Sequence, residues 1–203
     1  MAGLAVAMLA ACASVPPQED DPTRTEKQAR YEDRAAALQL RERWSLDGKL
    51  AVSDGEDGGS GRLEWRQQPG LSELDFRGTL GRGAWQLDIQ PGYAVLNLAN
   101  GESWQARDVS TLVREHVGWD VPVDALGWWV RGLAAPGQVT RRDLDEAGRM
   151  TRLTQHGWDV EYERYQEFSG LALPTRVVAR SGERQVKFVM RDWSFPESLE
   201  NDS

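Results

Sequence analysis

Few residues of this chain could take part in catalysis. The 203 residues include one cysteine, Cys12, and two histidines, His116 and His156. His116 falls on the apolar stripe of a predicted helix, where a packed or helix-end histidine is the ordinary explanation, and His156 precedes Gly157 at a predicted hairpin. A zinc site needs a further clustered ligand, which the sequence places near neither histidine. We therefore expect no enzyme, no metal and no cofactor.

The other motifs that could carry chemistry have ordinary structural explanations. Asp143 and Asp145 share one face of a predicted strand, as solvated carboxylates commonly do. Gly81 and Gly83 lack the strand-to-helix context of a dinucleotide-binding loop. The net charge of -8 argues against a nucleic-acid partner, because phosphate binding requires a basic surface.

The sequence does predict lipidation of Cys12. The run MAGLAVAMLAAC is apolar and ends in small residues before that cysteine, which is the pattern of a bacterial lipoprotein signal. We expect residues 1–11 to be the signal peptide; the alternative is an ordinary buried segment. A lipidated Cys12 also explains why the chain has a single cysteine without a disulfide partner. Ala13, rather than an aspartate, follows Cys12, and by analogy with bacterial lipoprotein sorting this favours the outer membrane.

Composition along the chain predicts one domain behind a tether. Residues 12–24 are acidic and proline-rich, as in an extended linker that follows a lipidated cysteine. Residues 25–196 form a single domain that begins with an amphipathic helix, and residues 197–203 form a flexible tail.

From Leu46 onward apolar residues alternate with polar ones, which predicts antiparallel strands with one wet face and one dry face. Two helices interrupt this pattern: the first is capped by Asp108 and ends at Gly118, and the second begins at Pro122. We count about eleven strands and about three helices, with no βαβ unit. A sheet of that many strands has to coil, because strands twist.

We therefore predict a mainly β (α+β) fold, an antiparallel half-closed barrel of about eleven strands with an apolar cavity covered by about three helices. The alternative is a plain filled core, which any β domain with this alternation would have. Nine tryptophans supply a surplus of aromatic surface that favours the cavity. The residues expected to line it are Leu50, Leu63, Trp65, Leu74, Phe76, Trp85, Leu87, Ile89, Val160 and Phe188.

Several short motifs together resemble the LolB family. They are the lipid-attachment box, GRLEWRQ, a strand pair joined by GTLGRGA, a two-helix insert ending WWVRGL, and LPTRV before VKFVMRDW, between about Trp44 and Trp193. Each motif is weak by itself, whereas their order and spacing are fairly specific. The resemblance implies a half-closed barrel with a helical lid, whose cavity holds acyl chains.

The resemblance also implies a function. The family consists of outer-membrane lipoproteins that receive other lipoproteins from a periplasmic carrier, so the implied partners are that carrier, acylated cargo and outer-membrane lipid. We expect a monomer at the periplasmic face of the outer membrane, anchored through Cys12. The family's protruding loop has an exposed leucine that places cargo into the bilayer; it aligns with Leu80, followed by Gly81. The family often has proline before this leucine, where this chain has Thr79.

Other function classes stay open on the residues alone. A lipocalin-like lipid-binding module would sequester a ligand without handing it on, and Leu80 would then be silent. A structural outer-membrane assembly subunit would dock a protein on its aromatic face and would have a filled core. A lipid-modifying hydrolase would require a nucleophile with His116 or His156 placed beside it.

Overall fold

A computed structural model describes residues 22–55, 58–79 and 83–196 of the chain. In these ranges the chain forms three helices and eleven strands, which confirms the numbers predicted from the alternation. The helices are α1 (Pro22–Gln39), α2 (Val109–Val117) and α3 (Val123–Trp129). The strands are β1 (Trp44–Ser53), β2 (Gly58–Gln68), β3 (Leu71–Gly78), β4 (Trp85–Gln90), β5 (Tyr93–Leu98), β6 (Ser103–Ala106), β7 (Val139–Leu144), β8 (Met150–Gln155), β9 (Trp158–Phe168), β10 (Leu171–Ser181) and β11 (Arg184–Ser194).

All eleven strands belong to one antiparallel sheet that does not close. Its order is β6-β5-β4-β3-β2-β1-β11-β10-β9-β8-β7, so two runs of sequential hairpins are joined where the first strand pairs with the last. The short β6 and β7 form the two edges. This arrangement confirms the predicted antiparallel, half-closed architecture.

The sheet has one apolar face and one charged face, as period-two alternation requires. On β11 the side chains of Val186, Phe188 and Met190 are buried. On the opposite face, the Arg62 guanidinium lies 2.6 Å from the Asp47 carboxylate and bridges β1 and β2. The apolar face therefore carries the core, and the helices lie against it.

Helix α2 begins and ends where the sequence predicts, and α3 begins where it predicts. The Asp108 carboxylate accepts a 2.6 Å hydrogen bond from the Thr111 backbone N–H at the start of α2. Gly118 ends that helix at φ 81°, a left-handed conformation that glycine adopts without strain. Pro122 stands directly before α3, whose first turn needs no hydrogen-bond donor at that position.

Helix α1 packs on the second half of the sheet. Its residues Tyr31, Ala35 and Leu38 are buried. The Arg34 guanidinium donates to the Ala172 carbonyl of β10 at 2.8 Å, and burial lowers the pKa of this group. None of the helices in the described ranges combines the length and hydropathy of a membrane span.

Helix α1 begins at Pro22, three residues before the predicted start of the domain at residue 25, because proline is tolerated in the first turn of a helix. The predicted signal peptide, Cys12 and the predicted tail at 197–203 lie outside the described residues.

Gln155 fixes the chain after α3 to the sheet. This side chain is fully buried on β8 and accepts hydrogen bonds from the Trp129 indole at 3.2 Å and the Ala135 backbone N–H at 2.9 Å. It also donates to the Ala135 carbonyl at 2.7 Å. One buried amide thus satisfies three buried polar groups, each of which would be costly to leave without a partner.

We expect Gln155→Leu to destabilise the protein by about 2–4 kcal/mol, because the leucine leaves these three groups unsatisfied. Urea unfolding at neutral pH measures the loss. Gln105→Leu on the exposed edge strand β6 is the matched control and should change the free energy of unfolding by less than about 0.5 kcal/mol. Equal losses in the two variants would contradict this role of Gln155.

Asp108 gives α2 a pH-dependent cap. The hydrogen bond from the Thr111 backbone N–H lowers the pKa of Asp108 below its usual value. We expect Asp108→Ala to cost about 1 kcal/mol at pH 7. Because the folded-state pKa is lowered, this stabilisation is present above the unfolded pKa of about 3.9 and is lost as pH falls through the folded-state value.

The measurement is urea unfolding of the wild type and Asp108→Ala at pH 7 and again below the folded-state pKa of Asp108. Asp108→Asn is the control, since asparagine caps helices well but does not titrate. A difference between wild type and Asp108→Ala that stays the same at both pH values would rule out a role for the carboxylate charge.

Candidate functional site

The apolar face of the sheet encloses a cavity under α2 and α3. Five strands, β1 to β4 and β11, supply its floor with aliphatic and aromatic side chains. Each of these residues lies on the buried face of its strand because it keeps the period of two. The floor consists of Leu50, Val52, Leu63, Trp65, Leu74, Trp85, Leu87 and Phe188.

The cover of the cavity comes from one continuous stretch of chain. Val113 projects from α2, Val123 and Leu126 project from α3, and Trp119 and Val121 come from the connecting segment 118–122. All the residues that line the cavity, from floor and cover, are apolar. Such a lining favours hydrocarbon over any polar or charged ligand.

The cavity has almost no free volume in this structure. Its volume is about 20 Å³, which is room for about one water molecule. A long acyl chain therefore fits only after the cover moves away from the sheet. The residues around the cavity are packed closely enough that this movement has to be a displacement of chain segments rather than a change of one rotamer.

The structure places seven of the ten residues expected to line an acyl-chain cavity around this small cavity, and the other three elsewhere. Phe76 lies on the far side of Trp85, where it lines an outer groove. Ile89 is only partly buried near the end of β4. Val160 is buried on β9, in the part of the sheet where Trp158 packs against Trp129 of α3, with 6.4 Å between ring centroids.

The outer groove is larger than the cavity, at about 730 Å³, and lies at one end of the sheet. It runs between the start of β2, the ends of β3 and β5, and the last turn of α2. Its lining residues are Gly58, Gly59, Ser60, Phe76, Gly78, Thr79, Gly83, Ala84, Trp85, Leu98, Ala99, Asn100, His116, Val117 and Trp119.

The predicted loop joins the sheet at the rim of this groove. Thr79 is exposed, and its hydroxyl donates a 2.9 Å hydrogen bond to the Ser60 carbonyl of β2. Gly83 returns the chain to β4 with a left-handed φ of 70°. Leu80 and Gly81 lie outside the described residues. The structure therefore defines the base of the loop, next to Phe76 and the groove.

Each of the two histidines contacts a neighbouring part of the fold. His116 lines the groove and stacks on Trp104, with 4.2 Å between ring centroids. His156 lies in the turn between β8 and β9, where its Nε2 is 3.1 Å from the Pro136 carbonyl oxygen. Within the described ranges, no three His, Cys, Asp or Glu residues come together as metal ligands.

Charged groups near the cover lie beside the cavity rather than in it. Burial raises the pKa of Asp124, in the first turn of α3, and the nearby Asp108 raises it further. Burial lowers the pKa of Arg131 to about 10. The Arg131 guanidinium lies over the rings of Trp44 and Trp128, at 5.4 and 5.2 Å from their centroids.

Sequence reasoning missed Trp119 and Val121. They belong to a short connection that has neither helical nor strand periodicity, so no pattern assigned their side chains to the core. The available signal was the pair of boundaries at Gly118 and Pro122. These boundaries leave two apolar residues in a connection of five residues, where solvent-facing polar residues are the rule.

Comparison with known proteins identifies the family. A family model described as "Outer membrane lipoprotein LolB" matches residues 42–193. An outer-membrane lipoprotein LolB of Alkalilimnicola ehrlichii is 42% identical, over 96% of this chain and 95% of the relative. The protein of the same name from Pseudomonas aeruginosa is 36% identical, over 95% of this chain and 94% of the relative.

Solved structures share the fold at low sequence identity. A LolA superfamily protein from Nitrosomonas europaea superposes with a TM-score of 0.55 and 9% identity, over 85% of this chain and 94% of that one. A DUF1329 family protein from Desulfovibrio piger gives a TM-score of 0.52 at 7% identity, over 86% and 95% of the two chains. The open sheet with its helical cover is thus a known architecture, and the sequence matches show that this chain belongs to the LolB family of outer-membrane lipoproteins.

Proposed function

We propose that this protein receives acylated lipoproteins from a periplasmic carrier and passes them into the outer membrane. The observation that carries the proposal is the cavity between sheet and cover, lined only by apolar side chains. Membership of the LolB family supports the same function and the outer-membrane location.

The proposal explains how acyl chains cross an aqueous space. Each CH₂ group exposed to water costs about 0.8 kcal/mol, so a multiply acylated protein meets a barrier of tens of kcal/mol if it enters water freely. An apolar cavity accepts the chains directly from another apolar site. Release then requires only a better apolar acceptor, which the bilayer provides, and neither a nucleotide nor a metal has to supply energy.

The anchor would keep the cavity close to its acceptor. Several acyl chains on Cys12 would hold the protein on the periplasmic face of the outer membrane, since more than one chain gives stable attachment. The tether from Cys12 to α1 at Pro22 is short, so the domain would remain near the lipid surface.

The loop at Thr79, Leu80 and Gly81 would deliver the chains. Its base is fixed to β2 by the hydrogen bond from Thr79 to Ser60, and Thr79 lines the groove. An exposed leucine at that position can enter the lipid and join the groove to the bilayer. In a lipocalin-like module, by contrast, the protein would retain its ligand, and substitution of Leu80 would not change the rate of delivery.

A transfer assay tests the proposal. Protein with Cys12→Ala, acylated cargo loaded on its carrier and liposomes are mixed, and cargo is followed into the liposomes. We expect Leu80→Glu to take cargo from the carrier normally and to deliver it about tenfold more slowly or worse, because a charge replaces a side chain worth about 1.5–3 kcal/mol in an apolar surrounding.

Leu40→Glu is the matched control, because it makes the same substitution at a leucine that is 83% exposed, just after α1. It should deliver cargo at the wild-type rate. Equal delivery by Leu80→Glu and the wild type would remove the loop from the mechanism. Failure of the wild type to accept any cargo would favour the structural assembly subunit over a lipoprotein receptor.

A further inference from the structure

Three aromatic rings separate the outer groove from the cavity. Phe76 and Trp85 stack with 5.2 Å between their centroids. Trp119 meets both of them edge to face, at 5.0 Å from Phe76 and 5.7 Å from Trp85. Trp85 and Trp119 line the groove on one side and the cavity on the other. The partition between the two spaces is therefore one layer of side chains.

We infer that Trp119 is a gate through which acyl chains pass between the groove and the cavity, and that it opens when segment 118–122 moves away from the sheet. This inference rests on the proposed function and adds the route of entry. The groove, at about 730 Å³, already has room for hydrocarbon, whereas the cavity of about 20 Å³ does not.

The opposing strand leaves space for the closed gate. A Cβ atom at Gly59 of β2 would lie 2.9 Å from Cζ2 of Trp119, which is closer than side chains tolerate. Gly59 does not have a positive φ, so its backbone does not require glycine. The absence of a side chain at Gly59 therefore leaves room for the Trp119 ring to pack against β2.

The segment that carries Trp119 has few polar contacts with the sheet. Its own backbone bonds are local, such as Val121 N–H to the Trp119 carbonyl at 3.1 Å. Among the described residues, the only hydrogen bond or ion pair from segment 118–122 to the sheet is made by Asp120, whose carboxylate lies 2.5 Å from the Arg184 guanidinium. Arg184 is itself held at the start of β11 by a hydrogen bond to Ser181 at 2.9 Å.

The Asp120–Arg184 pair has the properties of a latch that can open. Both side chains are more than one third exposed, so solvent and salt screen their attraction.

A reversible lock tests the gate. In protein with Cys12→Ala, Asp120→Cys and Arg184→Cys are joined by a bismaleimide that contains a reducible disulfide. The probe is cis-parinaric acid, a long-chain fatty acid that fluoresces in apolar surroundings. We expect the linked protein to take up the probe about tenfold more slowly or worse, because the open state is no longer populated. Reduction of the linker should restore the original rate.

A second pair and a second variant control the result. Asp47→Cys with Arg62→Cys replaces an ion pair of similar length on the outer face of the sheet, and linking it should leave uptake unchanged. In the unlinked protein, Trp119→Ala should speed uptake, because the ring that closes the partition is absent. In the unlinked wild-type background, Asp120→Asn should speed uptake about two- to fivefold, the range expected for loss of the exposed pair with Arg184. The second ion pair of Asp120, with Arg114 at 3.9 Å, lies within the cover and does not hold it to the sheet.

The possible outcomes distinguish failure of the inferred gate from failure of the proposed function. Equal uptake by linked and reduced protein would overturn the gate and leave the proposed function intact. Uptake at the wild-type rate by unlinked Trp119→Ala would also overturn it, since the ring would then not limit passage. Absence of uptake by the unlinked protein would overturn both the gate and the acyl-binding function.

Discussion

The structure depends on burial of the apolar face of an open sheet. Eleven strands present that face, and the cover available at the cavity consists of α2 and α3, with nine and seven residues, and the segment between them. Two helices this short cannot contribute a second layer as broad as the sheet. The thinnest part of the cover is therefore the non-helical segment 118–122, and the cavity lies directly beneath it.

The polar contacts that attach this cover to the sheet differ between its two ends. At the end of α3, Gln155 makes three buried hydrogen bonds, and Arg131 donates to the Gly127 carbonyl at 3.0 Å while lying on two indole rings. At segment 118–122 the described polar contact with the sheet is the exposed pair of Asp120 and Arg184. The region after α3 is thus held by buried hydrogen bonds, whereas segment 118–122 is held by aromatic packing and one exposed ion pair, which is the asymmetry that a cover hinged at one end requires.

Local patterns were sufficient for the fold and only partly sufficient for the site. Period-two alternation identified the inward residues of the strands, and Asp108 and Gly118 marked the ends of α2, because both signals lie within a few residues of the structure they specify. The cavity lining depends on which helix crosses which strands, and no local pattern in the sequence specifies that arrangement. Val160 has the correct alternation but lies on β9, beyond the cavity, and Trp119 lies on no periodic element at all.

If the gate that we infer controls the cavity, its small volume in the closed form favours transfer of an acyl chain over its storage. An acyl chain can bind only after the cover has opened, so the apparent affinity is the intrinsic affinity reduced by the small fraction of open molecules. A permanently open cavity with the same lining would hold the chain more tightly and would compete better with the bilayer. The packing of Trp119 against Phe76 and Trp85 therefore opposes retention, because every aromatic contact that stabilises the closed state also favours expulsion of the chain. A chain expelled past these rings enters the groove that Thr79 lines, beside the base of the loop, so the same closure that lowers the affinity also directs the chain toward the proposed point of delivery.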